Sequence, residues 1–462
     1  MVSNWIEVSL DEISERIGDG LHGTPQYCEH GEYYFINGNN LENGLIAIKD
    51  TTKRISIEEY FKHRKELTKN TVLVSINGTI GNVALYNGES VVLGKSACYI
   101  NLKNGVSKYF VKYILSGPLF QEYIQRCSTG STIKNVSLKM MRDFRFRMPE
   151  SEAEQLKLIQ SIISIDTKIT LNRQINQTLE QIAQALFKSW FVDFDPVVDN
   201  ALDAGFFEQD LEFSDELLRR AEARKAVRES ADFKPLPENI RQLFPAAFEE
   251  CSEPSLGLGG WVPKGWTHGC VSDVARYRAE RINTAELTLD NYISTENMLV
   301  DRKGVQPATS LPTVNSVPSY TSGTVLVSNI RPYFKKIWLA KGDGGYSNDV
   351  LGFEAKVSGT ESYLFNLMYQ DTFFDFMMAT SKGSKMPRGD KKAILGWDLV
   401  IPTLSLRLFF SEKVNDFYTS SNSRHHENIT LNQLRNTLLP KLISGELRLT
   451  DCETETTNME LI

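Results

Sequence analysis

The 462 residues include 51 Lys and Arg against 58 Asp and Glu, a net charge of −7, which speaks against a protein that coats nucleic acid indiscriminately, and the length suits about three domains with their own cores. With 41% hydrophobic and 24% charged residues the composition is that of a globular protein; no apolar run nears the ~20 residues of a membrane-crossing helix, and Met1-Val2-Ser3-Asn4-Trp5 opens no signal peptide. Six cysteines without a Cys-x-x-Cys pair argue against a zinc site or a disulfide framework and predict a reducing, cytoplasmic setting.

Residues 1–150 form a first β-rich domain, with Val72-Leu73-Val74 as a short strand and Asn77-Gly78 and Asn87-Gly88 as turns. A helix is expected from Tyr109 to Arg126. From Arg126 to Arg147 the chain turns basic, with Arg126, Lys134, Lys139, Arg142, Arg145 and Arg147 against Asp143 alone, and with Ser131, Thr132 and Asn135 in the same stretch.

Residues 151–192 read as a long helix. Leu158, Ile162, Ile165, Ile169, then Asn172 and Asn176, then Leu179, Ala183, Leu186 and Trp190 alternate three and four apart, a heptad seam with a polar middle. Residues 193–260 form a charged linker or insertion, helical from Asp215 to Arg228. A second β-rich domain spans 261–404, with Val325-Leu326-Val327 as a strand and a helix expected from Tyr363 to Met378. It carries its own basic stretch, Lys382, Lys385, Arg388, Lys391 and Lys392 against Asp390 alone, with Ser384 among them, and a further cluster of Arg331, Lys335 and Lys336. A second long helix follows over 405–446, its seam Phe410, Val414, Phe417, Ser421, Arg424, Asn428, Leu431, Arg435, Leu438 and Leu442. An acidic tail occupies 447–462.

The order of elements is a repeat. Thr71–Ser75 returns letter for letter at Thr324–Ser328, 253 residues on; the same shift carries Phe120 onto Phe373, Gly130-Ser131 onto Gly383-Ser384, Phe144 onto Trp397 and Pro149 onto Pro402. In the helices the shift is 252, placing Asn176 and Leu186 on Asn428 and Leu438. A period this long means a duplicated domain rather than a solenoid. If the helices pair antiparallel, Asn172 and Asn176 meet Arg424 and Asn428, a polar layer that fixes register because slippage would strand unsatisfied groups; the alternative is two amphipathic helices, each packed on its own domain. Leu158 to Trp190 spans roughly 48 Å at ~1.5 Å per residue, comparable with the ~34–36 Å between successive major-groove faces of DNA. Basic loops recurring at matching positions point to phosphate contacts, with Ser, Thr, Asn and Arg able to reach base edges; a solvated charged face is the alternative for any single run.

Other signals carry no chemistry. Gly88 to Ser96 resembles a phosphate loop but has five residues between its glycines instead of four. His425-His426 points to two different helix faces, which disfavours a metal site, and no Asn-Pro-Pro-Tyr or Asp-Pro-Pro-Tyr methyltransferase tetrapeptide is present. The chain reads as non-catalytic.

Leu179–Pro196 (LEQIAQALFKSWFVDFDP), Leu431–Leu447 (LNQLRNTLLPKLISGEL), Leu243–Phe248 (LFPAAF) and Trp261–Trp266 (WVPKGW) resemble the helix ends and the second-domain opening of the specificity subunits of type I restriction–modification systems. The resemblance implies an α+β fold: two mixed α/β target-recognition domains joined by two long antiparallel, coiled-coil-like helices, with internal pseudo-twofold repetition. It implies that each domain reads one half of a split site on double-stranded DNA while the helices set the spacer. It also implies two modification (methyltransferase) and two restriction (translocase/endonuclease) subunits as partners, which bind S-adenosylmethionine, ATP and Mg, leaving this chain with no cofactor or metal and no membrane. A non-catalytic scaffold without sequence-specific DNA binding is the competing expectation.

Overall fold

The computed structural model describes residues 4–129, 134–383 and 385–447. The chain forms two compact units. One is assembled from both ends, Met1–Asn172 with His425–Ile462, and the other is continuous from Arg173 to Arg424.

In the first unit a four-stranded antiparallel sheet runs in the order Ser14–Asp19, Ala97–Leu102, Thr71–Ser75, Val83–Leu85. Thr71–Ser75 and Ala97–Leu102 are buried along their whole length, as short uninterrupted apolar runs between turn signals are expected to be. Trp5–Ser9 pairs with Arg145–Pro149, and Tyr33–Ile36 pairs in parallel with Val91–Leu93. The second unit repeats this topology. Its sheet order is Ala275–Tyr277, Val350–Ala355, Val325–Ser328, Ile337–Leu339; Thr267–Cys270 pairs with Asp398–Ile401, and Tyr292–Ile293 lies parallel to Gly344–Tyr346. The fold is thus mixed α and β; the four-stranded sheet, the terminal strand pair and the parallel pair recur in both copies, while the strand added to the parallel pair differs, Lys53–Ile55 on Tyr33–Ile36 in the first and Ser316–Tyr320 on Gly344–Tyr346 in the second.

The helix expected over Tyr109 to Arg126 is two helices, Lys108–Ser116 and Pro118–Cys127. Gly117 is extended between them (φ −80°, ψ 165°), because a following proline disfavours the helical conformation at the preceding residue. The helix expected over Tyr363 to Met378 is likewise Glu361–Tyr369 and Asp371–Ala379. There Gln370 takes the extended conformation while its side chain donates to the Asn366 carbonyl at 3.0 Å.

Two helices of 40 residues, Glu152–Phe191 and Leu404–Ile443, contribute to both units. In the first unit Ile159, Ile162, Ile165 and Ile169 are buried in one core with Leu439, Leu442, Val8 and Phe110. Asp166 meets Arg435 and Asn172 meets Asn428, so these segments run antiparallel. In the second unit Ala183, Phe187, Trp190 and Phe191 are buried with Leu406, Phe410, Val414, Trp266 and Tyr363. Ile162, Ile165, Ile169, Asn172, Ala183 and Trp190 of the expected seam are buried, whereas at Leu158 and Leu186 the following residue, Ile159 or Phe187, is the buried one.

Within the second unit, Asp195–Asp203 and Asp215–Arg228 are helices. Ser214 caps the latter by accepting from the Leu217 amide. Asp195, Asp199 and Asp203 recur four apart and share a helix face, as do Arg220, Arg224 and Arg228. Each arginine binds the aspartate 25 residues before it, so the two helices run parallel, with Leu217 and Ala221 buried. Among the described residues no helix is long and apolar enough to cross a membrane.

Candidate nucleic-acid interface

In the first unit three loops gather beyond the C-terminal end of Thr71–Ser75: residues 76–82, residues 94–96 before Ala97–Leu102, and the basic loop that ends at Val136. Asn135 bridges both Thr129 and Asn77. The Thr129 and Asn135 amides donate to each other's carbonyls at 3.0 and 2.9 Å, the Gly78 amide donates to the Lys134 carbonyl at 3.0 Å, and the Val136 amide to the Ile76 carbonyl at 2.9 Å. The basic loop is therefore closed on itself and hung from the strand-end loop. Gly78 and Gly81 make that strand-end loop possible with φ of 75° and 90°, and a Cβ on Gly81 would stand 2.3 Å from Gln121 Oε1.

The second unit has the same clasp 253 residues later. Arg388 bridges Lys382 and Ile330; the Lys382 and Arg388 amides exchange 3.0 Å bonds with each other's carbonyls, and the Arg331 amide donates to the Pro387 carbonyl at 2.8 Å. Arg331 and Lys335 both adopt left-handed backbone (φ 51° and 49°) on either side of Pro332–Phe334, a conformation uncommon for residues with a Cβ and concentrated at functional sites.

The basic residues divide by where their charges go. Arg126, Lys139, Lys385, Lys391 and Lys392 are exposed. Lys134 extends to the Gln125 side chain. Lys382 donates to Asp390 at 2.7 Å, Lys335 to Asp371 at 2.6 Å and Lys336 to the Thr295 carbonyl at 2.6 Å; burial holds the Lys336 ammonium below its usual range. Arg142 turns to the Ile17 carbonyl at 2.9 Å and Asp11 at 3.5 Å, and does not join the clasp. Ser131, Thr132 and Ser384 lie outside the described residues. Asn135 is exposed, with Asn77 Nδ2 at 3.4 Å from its Oδ1, and Arg388 places Nη2 3.1 Å from Asp349 Oδ1.

Asp349 was not singled out by the sequence, and Asn77 and Lys95 entered it only as part of a turn and of a mis-spaced phosphate loop, since their loops carry no charge run. The visible signal was the shift of 253, which sets the 94–96 loop against 347–349. The first clasp adjoins a cavity of about 280 Å³ lined by Asn77, Lys95, Asn135, Asp19 and His22 among others; in the second unit a cavity of about 250 Å³, lined by Tyr292, Asn297, Ser347 and Asp349 among others, meets the clasp only through Asp349, the ion-pair partner of Arg388. The Ser347 hydroxyl is buried without a hydrogen-bond partner in the structure.

Of the helix residues expected to meet, Asn172 is fully buried and donates to Asn428 Oδ1 at 3.0 Å and Glu427 Oε2 at 2.7 Å. In the second unit Asn176 donates to the Ser421 carbonyl at 3.0 Å. Arg424 does not bond to either asparagine as expected: its guanidinium folds back on the Ser420 carbonyl at 2.9 Å, one turn earlier. A long flexible side chain on a half-exposed face reaches its own helix at less entropic cost than it would incur spanning to another.

Residues 2–181 match the family model described as Type I restriction modification DNA specificity domain. Over 482 aligned residues, covering 96% of this chain and 100% of the relative, the chain is 28% identical to the HindI type I restriction enzyme specificity subunit of Haemophilus influenzae. It is 22% identical to the MjaIX specificity subunit of Methanocaldococcus jannaschii, with 92% and 86% of the two chains covered. In fold it is similar to the crystal structure of a type I restriction-modification S subunit from M. genitalium, with a TM-score of 0.52, 14% identity and 96% of both chains covered.

Proposed function

We infer that this chain, which is similar to type I restriction enzyme specificity subunits, is one of them, selects the DNA sequence on which such a system acts and is itself non-catalytic. Each α/β unit reads one half of a split, asymmetric site on double-stranded DNA through its three-loop end, and the two 40-residue helices set the spacer and dock the modification subunits. The observation that carries this reading is the clasp: one backbone device occurs twice in one topology, at Asn135 and at Arg388, with different side chains on it. A scaffold that held only protein would have no need of one loop frame with two chemistries.

On this reading the exposed lysines of each basic loop neutralise phosphates, while amide and guanidinium groups at the clasp face the groove. Two modification subunits supply S-adenosylmethionine and methyl transfer, two restriction subunits supply ATP- and Mg-dependent translocation and cleavage, and this chain binds none of these cofactors. Co-expression with the modification subunit, followed by mapping of methylated bases, should give a two-part motif with a fixed spacer, and the purified chain alone should turn over no S-adenosylmethionine. Methylation without a motif, or turnover by the isolated chain, would sink the reading.

A further inference from the structure

We propose that Asn135 and Arg388 are the base-reading side chains of the two units, Asn135 for an adenine in one half-site and Arg388, positioned by Asp349, for a guanine in the other. This rests on the DNA-specificity reading above and assigns it to particular atoms.

Three observations lead there. First, the two residues occupy one position of the repeat, each bridging the same pair of neighbours: Thr129 and Asn77 in one case, Lys382 and Ile330 in the other. At both, the backbone is pinned by a reciprocal pair of hydrogen bonds within its loop, so the side chain projects from a fixed point and little ordering remains to be done on binding. Second, both side chains are exposed and have two-point geometry. An asparagine amide presents an acceptor and a donor matching adenine N6 and N7, and a guanidinium presents a fork of donors matching guanine O6 and N7. The neighbouring lysines are point charges suited to phosphate. Third, each already has an orienting partner on another of the three loops. Asn77 Nδ2 donates to Asn135 Oδ1 at 3.4 Å, which sets the face of the amide and leaves a lone pair and the NH2 for a base. Asp349 Oδ1 takes Arg388 Nη2 at 3.1 Å, leaving the other guanidinium donors to point onward. Asn135 lines the first of the cavities described above, and Asp349, the partner of Arg388, lines the second.

The test uses the chain in complex with its modification subunits and reads methylated sites genome-wide. The wild-type motif should contain an adenine in one half and a guanine in the other. Arg388→Gln should lower methylation of guanine-containing sites at least about tenfold and shift preference toward adenine at one position, because glutamine matches adenine, with the other half read as before. Asn135→Ala should relax one adenine position in the opposite half. Asp349→Asn should loosen reading at the Arg388 position alone, an effect that general destabilisation would not confine to one base; if it does not, the positioning role of Asp349 is wrong.

The base assignments fail if Arg388→Gln leaves both halves unchanged, if both variants act on the same half, or if the loss is uniform over all sequences and restored by Arg388→Lys, as for a phosphate contact. If the Arg388→Gln complex does not assemble, Asp349→Asn and Asn135→Ala decide the matter by the same criteria. A wild-type complex with no split motif would instead overturn the specificity reading itself.

Discussion

Asp390 accepts hydrogen bonds from Lys382 Nζ and from the amides of Lys392 and Ala393. It thereby caps a short helix and ties the second basic loop to it. These bonds, led by that from Lys382, hold its carboxyl down to about 2. A carboxylate whose folded value lies below its unfolded one stabilises the fold above the ordinary carboxylate range, and that contribution is lost as pH falls toward the folded value. The clasp around Arg388 should therefore stay closed at neutral pH and through pH 4, and loosen only as pH approaches 2. Carboxyl-carbon NMR should place the Asp390 midpoint near 2, and Lys382→Ala should move it up toward about 3.9; an ordinary midpoint in the wild-type chain would mean that the ion pair does not persist in solution. Charge recurrence made the loops legible in the sequence but not the destination of each charge. Arg142 finds a carbonyl at Ile17, 125 residues away, and no local pattern contains such a partner.

Helix segments were the most legible elements, since a heptad seam is a local pattern. The polar interruption at Asn172 was visible for the same reason, whereas the partner of Arg424 depended on rotamer choice. The breaks at Gly117 and Gln370 differ in legibility too: Gly-Pro announces the first, and nothing announces the second. The parallel Asp–Arg ladder was hidden because its spacing of 25 residues belongs to no secondary-structure period. Its rungs are unequal. Arg224 and Asp199 are only 14% and 20% exposed, Arg228 and Asp203 28% and 38%. Arg224→Ala should cost the second unit about 1–3 kcal/mol, as loss of hydrogen bonds to a half-buried charge does, and Arg228→Ala no more than about 1 kcal/mol, in the range of solvent-screened pairs. Denaturant titration followed by the fluorescence of buried Trp190, Trp261 and Trp266 would measure both, and equal losses at the two rungs would contradict the graded picture.

At the scale of the whole chain the duplication was legible from five shared letters and a shift of 253 that falls to 252 in the helices, because the four-stranded sheet follows the repeat. The make-up of the units was not, since a seam does not state which stretch of another helix completes it. If helix length sets the spacer, inserting four residues after Thr178 and four after Thr419 adds roughly 6 Å at ~1.5 Å per residue. With DNA rising ~3.4 Å per base pair, the half-sites should move apart by one or two base pairs with the same bases read. Methylome mapping would show the wider motif, and an active variant with an unchanged spacer would rule out the helices as the measure. The first unit is built from both ends of the chain and the second is continuous between Arg173 and Arg424, which gives synthesis an order. Although domains usually close in the sequence in which they leave the ribosome, here the later one can close first. Ile159, Ile162, Ile165 and Ile169 must wait for Leu439 and Leu442, nearly the last described residues to be made, so a chain stalled or cleaved near Arg424 would carry one finished reader and one with its greasy flank open to chaperones and proteases. Half-made copies would thereby expose the apolar face that Leu439 and Leu442 otherwise cover.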